Sequence, residues 1–156
     1  MMIRPAEDKD IPRIMELLHQ VLEVHASIRP DLFISGTSKY TEQELLAILH
    51  NENTPVFAAA DENDRLIGYA FCVLQEPEES NNMIPYRTVY IDDLCVDETC
   101  RGHQIGQKLY AYVRSYAKQK GCGYITLHVW QGNDSALRFY EKAGLQPRKI
   151  MMEEKL

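Results

Sequence analysis

The sequence predicts an α+β fold in which a mixed, mostly antiparallel central sheet carries helices on both faces. Three observations support this prediction. Apolar residues change along the chain between the alternation of strands and the three-and-four spacing of helices, in the order strand, two helices, three strands, helix, strand, helix, strand. Two middle strands flank a short polar turn, which is typical of an antiparallel hairpin. A long helix then connects two later strands, as in a parallel crossover.

The size and composition of the chain fit one domain. Its 156 residues, of which 45% are hydrophobic, suffice for a single core, and we expect one domain over residues 1–156. The net charge of −6 gives no electrostatic footprint for nucleic acid, and no apolar run is long enough to span a membrane. The four cysteines form no C-x-x-C pair, which favours reduced, mostly buried thiols. We therefore expect a cytoplasmic protein without a metal site.

The first elements are a short strand and two helices. The strand begins at Ile3, and Asp10 is placed to cap the helix that follows. Pro30 ends this helix, because the residue before a proline is disfavoured in helical geometry. Thr41 and Glu44 have the spacing of a capping box, in which two side chains satisfy two free backbone N–H groups. They predict the start of a second helix.

Three strands and a long helix come next. Strands are predicted at about residues 56–60 and 66–74, on either side of an acidic turn, and a third from Tyr86 to Val96. From Ile105 onward, apolar residues recur at helical spacing and form one stripe for burial. Gly121 is expected to stop this helix.

The last elements are a strand, a helix and a closing strand. Residues 124–130 alternate between two faces, as in a half-buried strand. Asn133 can cap a helix that Gly144 stops. Residues 148–153 are predicted to form the final strand.

A polar turn lies where the third of the middle strands leads into the long helix. It runs from Arg101 to Gly106 and is rich in small residues, which let the backbone come close to a ligand. The start of a helix also presents free N–H groups at the positive end of the helix dipole. The turn is therefore predicted to bind phosphate.

Two segments resemble motifs of the GCN5-related N-acetyltransferase (GNAT) family. The turn is similar to the acyl-CoA signature Arg/Gln-x-x-Gly-x-Gly/Ala, with Gln104 where a glycine is usual. We expect the backbone φ of Gln104 to be negative and its side chain to point away from the phosphates. The second segment, NDSALRFYEKAGLQP from Asn133 to Pro147, is similar to N-x-x-A-x-x-F/L-Y-x-K-x-G-F. The motifs occur in the family's order, so the resemblance extends to the fold of essentially the whole chain.

The resemblance implies that acetyl-CoA is the acyl donor. In the family, a bulge separates the strand that precedes the phosphate-binding turn from the strand that follows the long helix. The pantetheine arm of the cofactor lies in the gap between these two strands. The residues implied in acetyl-CoA binding are Leu94, Cys95 and Val96 beside the pantetheine arm, Arg101, Gly102, His103, Gln104, Ile105, Gly106 and Gln107 around the pyrophosphate, and Asn133 as a polar contact.

Acetyl transfer to an amine needs a group that accepts a proton and a group that protonates the departing thiolate. The resemblance implies that Tyr140 is the proton donor; a core aromatic is the alternative. For the base, His128 occupies the place of a glutamate in ribosomal-protein acetyltransferases, although it could be an ordinary strand residue. Other members carry a carboxylate on the earlier strand, where this chain has Asp92 and Asp93. Strand alternation sends these two to opposite faces, so at most one faces the acceptor unless a bulge intervenes.

These features predict an acetyl-CoA-dependent N-acetyltransferase that transfers the acetyl group directly to a primary amine. A non-catalytic acyl-CoA-binding or sensing module, and an acyltransferase that uses a longer acyl donor, are the alternatives. The acceptor stays open between a small molecule and a protein amine, because the segments expected to line it, residues 25–40 and 76–86, carry no readable signature. Nucleic acid and membrane partners are not expected, and a homodimer is left open.

Overall fold

The computed structural model describes residues 1–156, and its strands form one mixed five-stranded sheet. The strands are β1 (Met2–Pro5), β2 (Val56–Ala60), β3 (Leu66–Gln75), β4 (Thr88–Val96) and β5 (Tyr124–Leu127), and the helices are α1 (Ile11–Ile28), α2 (Glu42–Leu49), α3 (Ile105–Gln119) and α4 (Asp134–Lys142). Strands β1 to β4 pair antiparallel in chain order, and β5 pairs parallel with β4 after the α3 crossover. The predicted fold class is confirmed.

The two faces of the sheet carry two separate hydrophobic clusters. On one face, Leu17 of α1 and Leu45 of α2 pack with Tyr69 of β3 and are fully buried. On the other face, Leu109 and Val113 of α3 pack against the sheet and are equally buried. Burying such a side chain contributes about 2 kcal/mol, so the helical stripes hold α1, α2 and α3 against the sheet. Helices therefore cover both faces, as predicted.

A β-bulge interrupts the pairing of β3 with β4. Phe71 lies opposite Asp93 while Cys72 lies opposite Ile91, so Asp92 is an extra residue without a partner on β3. The alternation of side chains along β4 therefore shifts by one at this residue.

Local capping signals are mostly confirmed. Thr41 and Glu44 form the predicted capping box of α2, and Asn133 accepts from the backbone of α4. Asp10 precedes α1 as predicted, but its side chain makes no cap to that helix. It instead accepts two hydrogen bonds from Arg4, at 2.8 and 3.1 Å, and one from the Glu7 backbone, at 2.8 Å. The Arg4 guanidinium binds both carboxylate oxygens at once, and such a bidentate pair is stronger than a single bond to a backbone N–H.

Two predicted strand assignments are wrong. Strand β5 ends at Leu127 rather than continuing to residue 130, because the chain then enters the turn that leads to α4. The closing strand at 148–153 does not form, and these residues are exposed without regular structure. A strand is stable only when a neighbour pairs with it, and this segment has none within the chain.

Candidate active site

The segment that leads from β4 to α3 is anchored at Asp97, which is almost completely buried. Its carboxylate accepts from the Thr99 backbone at 3.0 Å and from the Thr99 hydroxyl at 2.9 Å. The same carboxylate forms an ion pair with Arg13 of α1. Arg13 also donates to the carbonyl oxygen of Leu66 at 3.1 Å. These contacts tie the start of the loop to the helix and the sheet beneath it.

The backbone N–H groups from Arg101 to Gln107 have no hydrogen-bond acceptor within the protein. Lys108 is the first residue beyond them that donates to the helix, to the carbonyl of Gln104 at 3.0 Å. A run of free donors at a helix N-terminus attracts an anion through both the N–H groups and the helix dipole. We name residues 101–107 the amide loop.

Gln104 adopts a left-handed conformation, with φ of 59° and ψ of 20°. The expectation of a negative φ is therefore wrong. Glycine is usual at the corresponding position of the family signature, and glycine enters the left-handed region without steric cost. Gln104 thus adopts a conformation that glycine would reach at lower steric cost.

Gly106 lies where α3 approaches α4. A methyl group added there would come within 3.3 Å of the Phe139 ring, closer than normal packing allows. A pocket of about 540 Å³ borders the opposite side of the loop, between Gln104 and the β2–β3 turn at Asp61 and Glu62. The loop is therefore packed on one side and open on the other.

Strand β4 loses its β5 neighbour just before the amide loop. Pairing between them runs only from Thr88 to Ile91 on β4, whereas Leu94, Cys95 and Val96 remain paired with β3 alone. The backbone of 94–96 consequently has no strand partner on the β5 side. This is the gap between splayed strands that the resemblance implies.

The bulge brings the carboxylates of Asp92 and Asp93 to the same face of the sheet. Asp92 accepts from the Tyr40 hydroxyl at 2.6 Å and pairs with the Lys39 ammonium at 2.9 Å. Asp93 accepts from the buried Tyr69 hydroxyl at 2.7 Å. Tyr40 and Tyr69 both lie on the α1 and α2 side. The exception allowed for a bulge therefore applies, because the extra residue reverses the alternation between positions 92 and 93.

Burial raises the pKa of Asp93 from 3.8 to about 6, against the opposing effects of the Tyr69 hydrogen bond and the Lys39 charge. The carboxyl group is therefore ionised at neutral pH but accepts a proton slightly below it. This places the pKa close to the operating range of a general base.

Tyr140 projects from α4 next to Phe139, with ring centroids 5.1 Å apart. Its hydroxyl makes no hydrogen bond within the protein. Burial and then the negative charge of Asp93 raise the pKa of Tyr140 well above its ordinary value. The phenol is therefore protonated, lies within electrostatic reach of Asp93 and has no hydrogen-bond partner within the protein.

His128 and Asn133 lie in the segment between β5 and α4. The Nδ1 atom of His128 lies 2.9 Å from the Tyr90 hydroxyl, and the imidazole is exposed. It has no hydrogen bond to Asp92, Asp93 or Tyr140. Asn133 accepts from the Ala136 backbone at 3.4 Å, which is its capping role, and its amide nitrogen is free.

Three side chains that the sequence did not single out contact the carboxylates: Lys39, Tyr40 and Tyr69. Lys39 and Tyr40 belong to the segment between α1 and α2 that was expected to line the acceptor, but no motif distinguished them. Tyr69 looked like an ordinary core residue of β3. A polar hydroxyl in an apolar strand was the one available signal, since buried Tyr hydroxyls usually have a partner.

The structure contains no group of three or more His, Cys, Asp or Glu side chains placed to hold a metal ion. None of its helices has both the length and the apolar character needed to cross a bilayer.

Comparison with known families identifies one whose model matches most of the chain. The family model described as "Acetyltransferase (GNAT) family" matches residues 18–145. The thialysine N-epsilon-acetyltransferase of Bos taurus is 26% identical over 93% of this chain and 84% of its own. A mutant of the BH1408 protein from Bacillus halodurans is 34% identical, covers 100% of this chain and 99% of its own, and superposes with a TM-score of 0.95. An aminoglycoside acetyltransferase from an uncultured soil sample, crystallised with sisomicin, has the same fold at 21% identity, covering 99% of this chain and 95% of its own with a TM-score of 0.71.

Proposed function

Since the chain belongs to the GNAT acetyltransferase family, we propose that it transfers an acetyl group from acetyl-CoA directly to a primary amine. The main support for the proposal is one observation. The free amides of residues 101–107 follow strand β4, and the bulge of β4 presents Asp92 and Asp93. An anion site for the donor and a carboxylate site for the acceptor are therefore only a few residues apart. The coenzyme supplies a thioester, and the chain supplies its position and the movement of protons.

The amide loop is proposed to hold the pyrophosphate, with Arg101, His103 and Gln107 contributing through their backbones. The unpaired edge of 94–96 can form backbone hydrogen bonds with the amides of the pantetheine arm, as an added strand would. Asn133 has a free amide nitrogen and is proposed as a further polar contact. No metal is required by this arrangement.

The carboxylates are proposed to bind and deprotonate the acceptor. An alkylammonium has a pKa of about 10, so it enters protonated and is attracted to a pair of carboxylates. Asp93 is ionised at neutral pH and has a raised pKa, which suits it to accept the proton. Asp92 would position the ammonium, since one oxygen already binds an amine, that of Lys39. His128 is exposed on the same side and is the alternative base.

Tyr140 is proposed to protonate the departing thiolate. Its raised pKa keeps the phenol protonated, and its hydroxyl has no competing partner within the protein. Negative charge on sulfur develops only as the thioester breaks, so the interaction stabilises the transition state more than the bound substrate.

A primary amine is proposed as the acceptor class. The bovine relative is named for acetylation of the ε-nitrogen of thialysine, and the soil enzyme for aminoglycosides. Both names describe amines, and the paired carboxylates suit a cation. Amines of small molecules and of proteins both fit this class, and the assay below covers both.

The test is thiol release from acetyl-CoA in the presence of a panel of diamines, amino sugars, amino acids and peptides, with the product identified by mass. We expect release to depend on one amine class and to fall strongly in Tyr140→Phe. Tyr112→Phe is the matched control, because Tyr112 packs on Phe57 at 4.9 Å and lies outside the site. Binding of acetyl-CoA without release for any amine would instead indicate a non-catalytic acyl-CoA-binding module.

A homodimer is proposed on the basis of the C-terminal segment. Ile150, Met151 and Met152 are 81%, 91% and 84% exposed, which is unusual for three consecutive large apolar residues. A second copy would bury them. Light scattering should give the mass of a dimer, and Met151→Glu should give a monomer while Lys155→Glu should not. A monomer at all concentrations of the unsubstituted protein would contradict the proposal.

A cytoplasmic location is part of the same proposal. All four cysteines are free, and Cys72 and Cys95 are buried in the sheet. Free thiols are typical of proteins in reducing compartments. Fractionation with an antibody would test it.

A further inference from the structure

The ammonium group of Lys39 lies on the bulge of β4. Its Nζ atom is 2.9 Å from Oδ1 of Asp92, and 44% of the side chain is exposed. The next residue fixes the segment, since Tyr40 donates to the other Asp92 oxygen at 2.6 Å and stacks on Phe71 with centroids 5.8 Å apart. The backbone of Lys39 is thus held in place by Tyr40, whose hydroxyl is hydrogen-bonded to the same Asp92 carboxylate.

Lys39 presents the functional group that the proposed reaction consumes. It is a primary alkylammonium paired with a carboxylate on the face where the acceptor is proposed to bind. Its charge lowers the pKa of Asp93, and the charge of Asp93 in turn raises the pKa of Tyr140. The proposed base, Asp93, therefore lies within electrostatic reach of both the amine of Lys39 and the proposed acid, Tyr140. Four rotatable bonds allow the amine to move while its backbone stays fixed.

We propose that Lys39 is an intramolecular acceptor and that the protein acetylates its own Lys39 Nζ atom. This inference rests on the proposed function, because it uses the same donor, base and acid.

The step balances as an ordinary acyl transfer. The ammonium first gives one proton to a carboxylate, and the free amine nitrogen forms a bond with the acetyl carbon of acetyl-CoA. The carbon–sulfur bond breaks, and its electron pair leaves with sulfur. The nitrogen loses a second proton, and the thiolate is protonated, so that one thiol and one proton are released for each amide formed. No oxidant, reductant or metal is needed.

Acetylation removes the positive charge that now faces Asp92. The carboxylate would then be available to an external ammonium without competition from the chain. Self-acetylation at Lys39 is therefore expected to tighten the binding of a cationic acceptor.

The test uses the full-length protein and acetyl-CoA carrying an isotopically labelled acetyl group, followed by peptide mass mapping over time. We expect label at Lys39, at a first-order rate that is independent of protein concentration. Lys9 is the matched control: it pairs with Asp64 at 2.6 Å and its side chain is 53% exposed, similar to Lys39, but it lies away from the bulge. Its labelling reports the uncatalysed reaction.

The Tyr140→Phe variant should slow the labelling of Lys39 and leave that of Lys9 unchanged. Unlabelled acetyl already on Lys39 in the purified protein supports the proposal if Tyr140→Phe, expressed in parallel, lacks it. Labelling of Lys39 no faster than that of Lys9, or a rate proportional to protein concentration, would overturn self-acetylation. If external amines are still acetylated in that case, the proposed function survives; if acetyl-CoA binds and neither reaction occurs, both fail.

Discussion

Replacing Asp93 with asparagine should stabilise the fold and impair the reaction. Burial raises the pKa of Asp93 from 3.8 to about 6, so the folded state binds its proton more tightly than the unfolded state does. The free energy of unfolding therefore falls as pH rises from 3.8, the pKa of Asp93 in the unfolded state, to about 6, its pKa in the folded state. Above about pH 6 the loss is complete. At about 1.4 kcal/mol per pH unit, ionised Asp93 costs the fold about 3 kcal/mol at neutral pH. Asparagine carries no charge, and its carbonyl can still accept from Tyr69.

Urea denaturation at about pH 7.5 and about pH 4.5 measures this effect. At the lower pH most of the cost is already absent, so the stability gained by Asp93→Asn should be about 2 kcal/mol larger at the higher pH. Asp92→Asn is the control and should give no gain, because it breaks the ion pair with Lys39. The same Asp93→Asn variant should lose the rise of kcat/KM near pH 6. A stability difference that does not change with pH would refute the account of the buried charge.

Three further predictions test other parts of the site. Tyr140→Phe should lower kcat about 100-fold, while the Kd for acetyl-CoA measured by calorimetry stays nearly unchanged. An unchanged kcat, with chemistry shown to be rate-limiting, would indicate that Tyr140 serves only in packing. Gly106→Glu should abolish acetyl-CoA binding, and Arg101→Ala should weaken it less. Gly106→Ala is the control for packing, because its methyl group meets Phe139 equally closely, and it should also weaken binding less. Equal affinities in all three variants would exclude the amide loop as the phosphate site. Gln104→Gly relieves a left-handed conformation and should raise the unfolding free energy by up to about 1 kcal/mol; a lower thermal midpoint would contradict that strain.

Local signals in the sequence predicted the helices well. Thr41 with Glu44, and Asn133, cap their helices through contacts within a few residues, so neighbouring positions contain the whole interaction. α3 and α4 end just before Gly121 and Gly144, as predicted. The order and direction of the strands followed from the hairpin turn and the helical crossover.

Features that depend on distant partners could not be predicted in this way. The bulge at Asp92 exists only in the register of β4 against Phe71 and Cys72 of β3, and it alone decides that Asp92 and Asp93 share a face. The pairing of Lys39 with Asp92 depends on how the α1–α2 segment folds over the sheet. The segment at 148–153 has the pattern of a strand, but a strand pattern does not supply a neighbour.

The placement of acetyl-CoA is tested most directly by amide hydrogen–deuterium exchange with and without acetyl-CoA. The N–H groups of residues 101–107 have no acceptor within the protein and should exchange rapidly in its absence. Acetyl-CoA should slow exchange at these amides and at the unpaired edge of 94–96, while the C-terminal residues 148–153 serve as an internal control whose exchange rate is the same with and without acetyl-CoA. Protection confined to another part of the chain, with residues 101–107 exchanging as before, would contradict the assignment of the amide loop as the phosphate site.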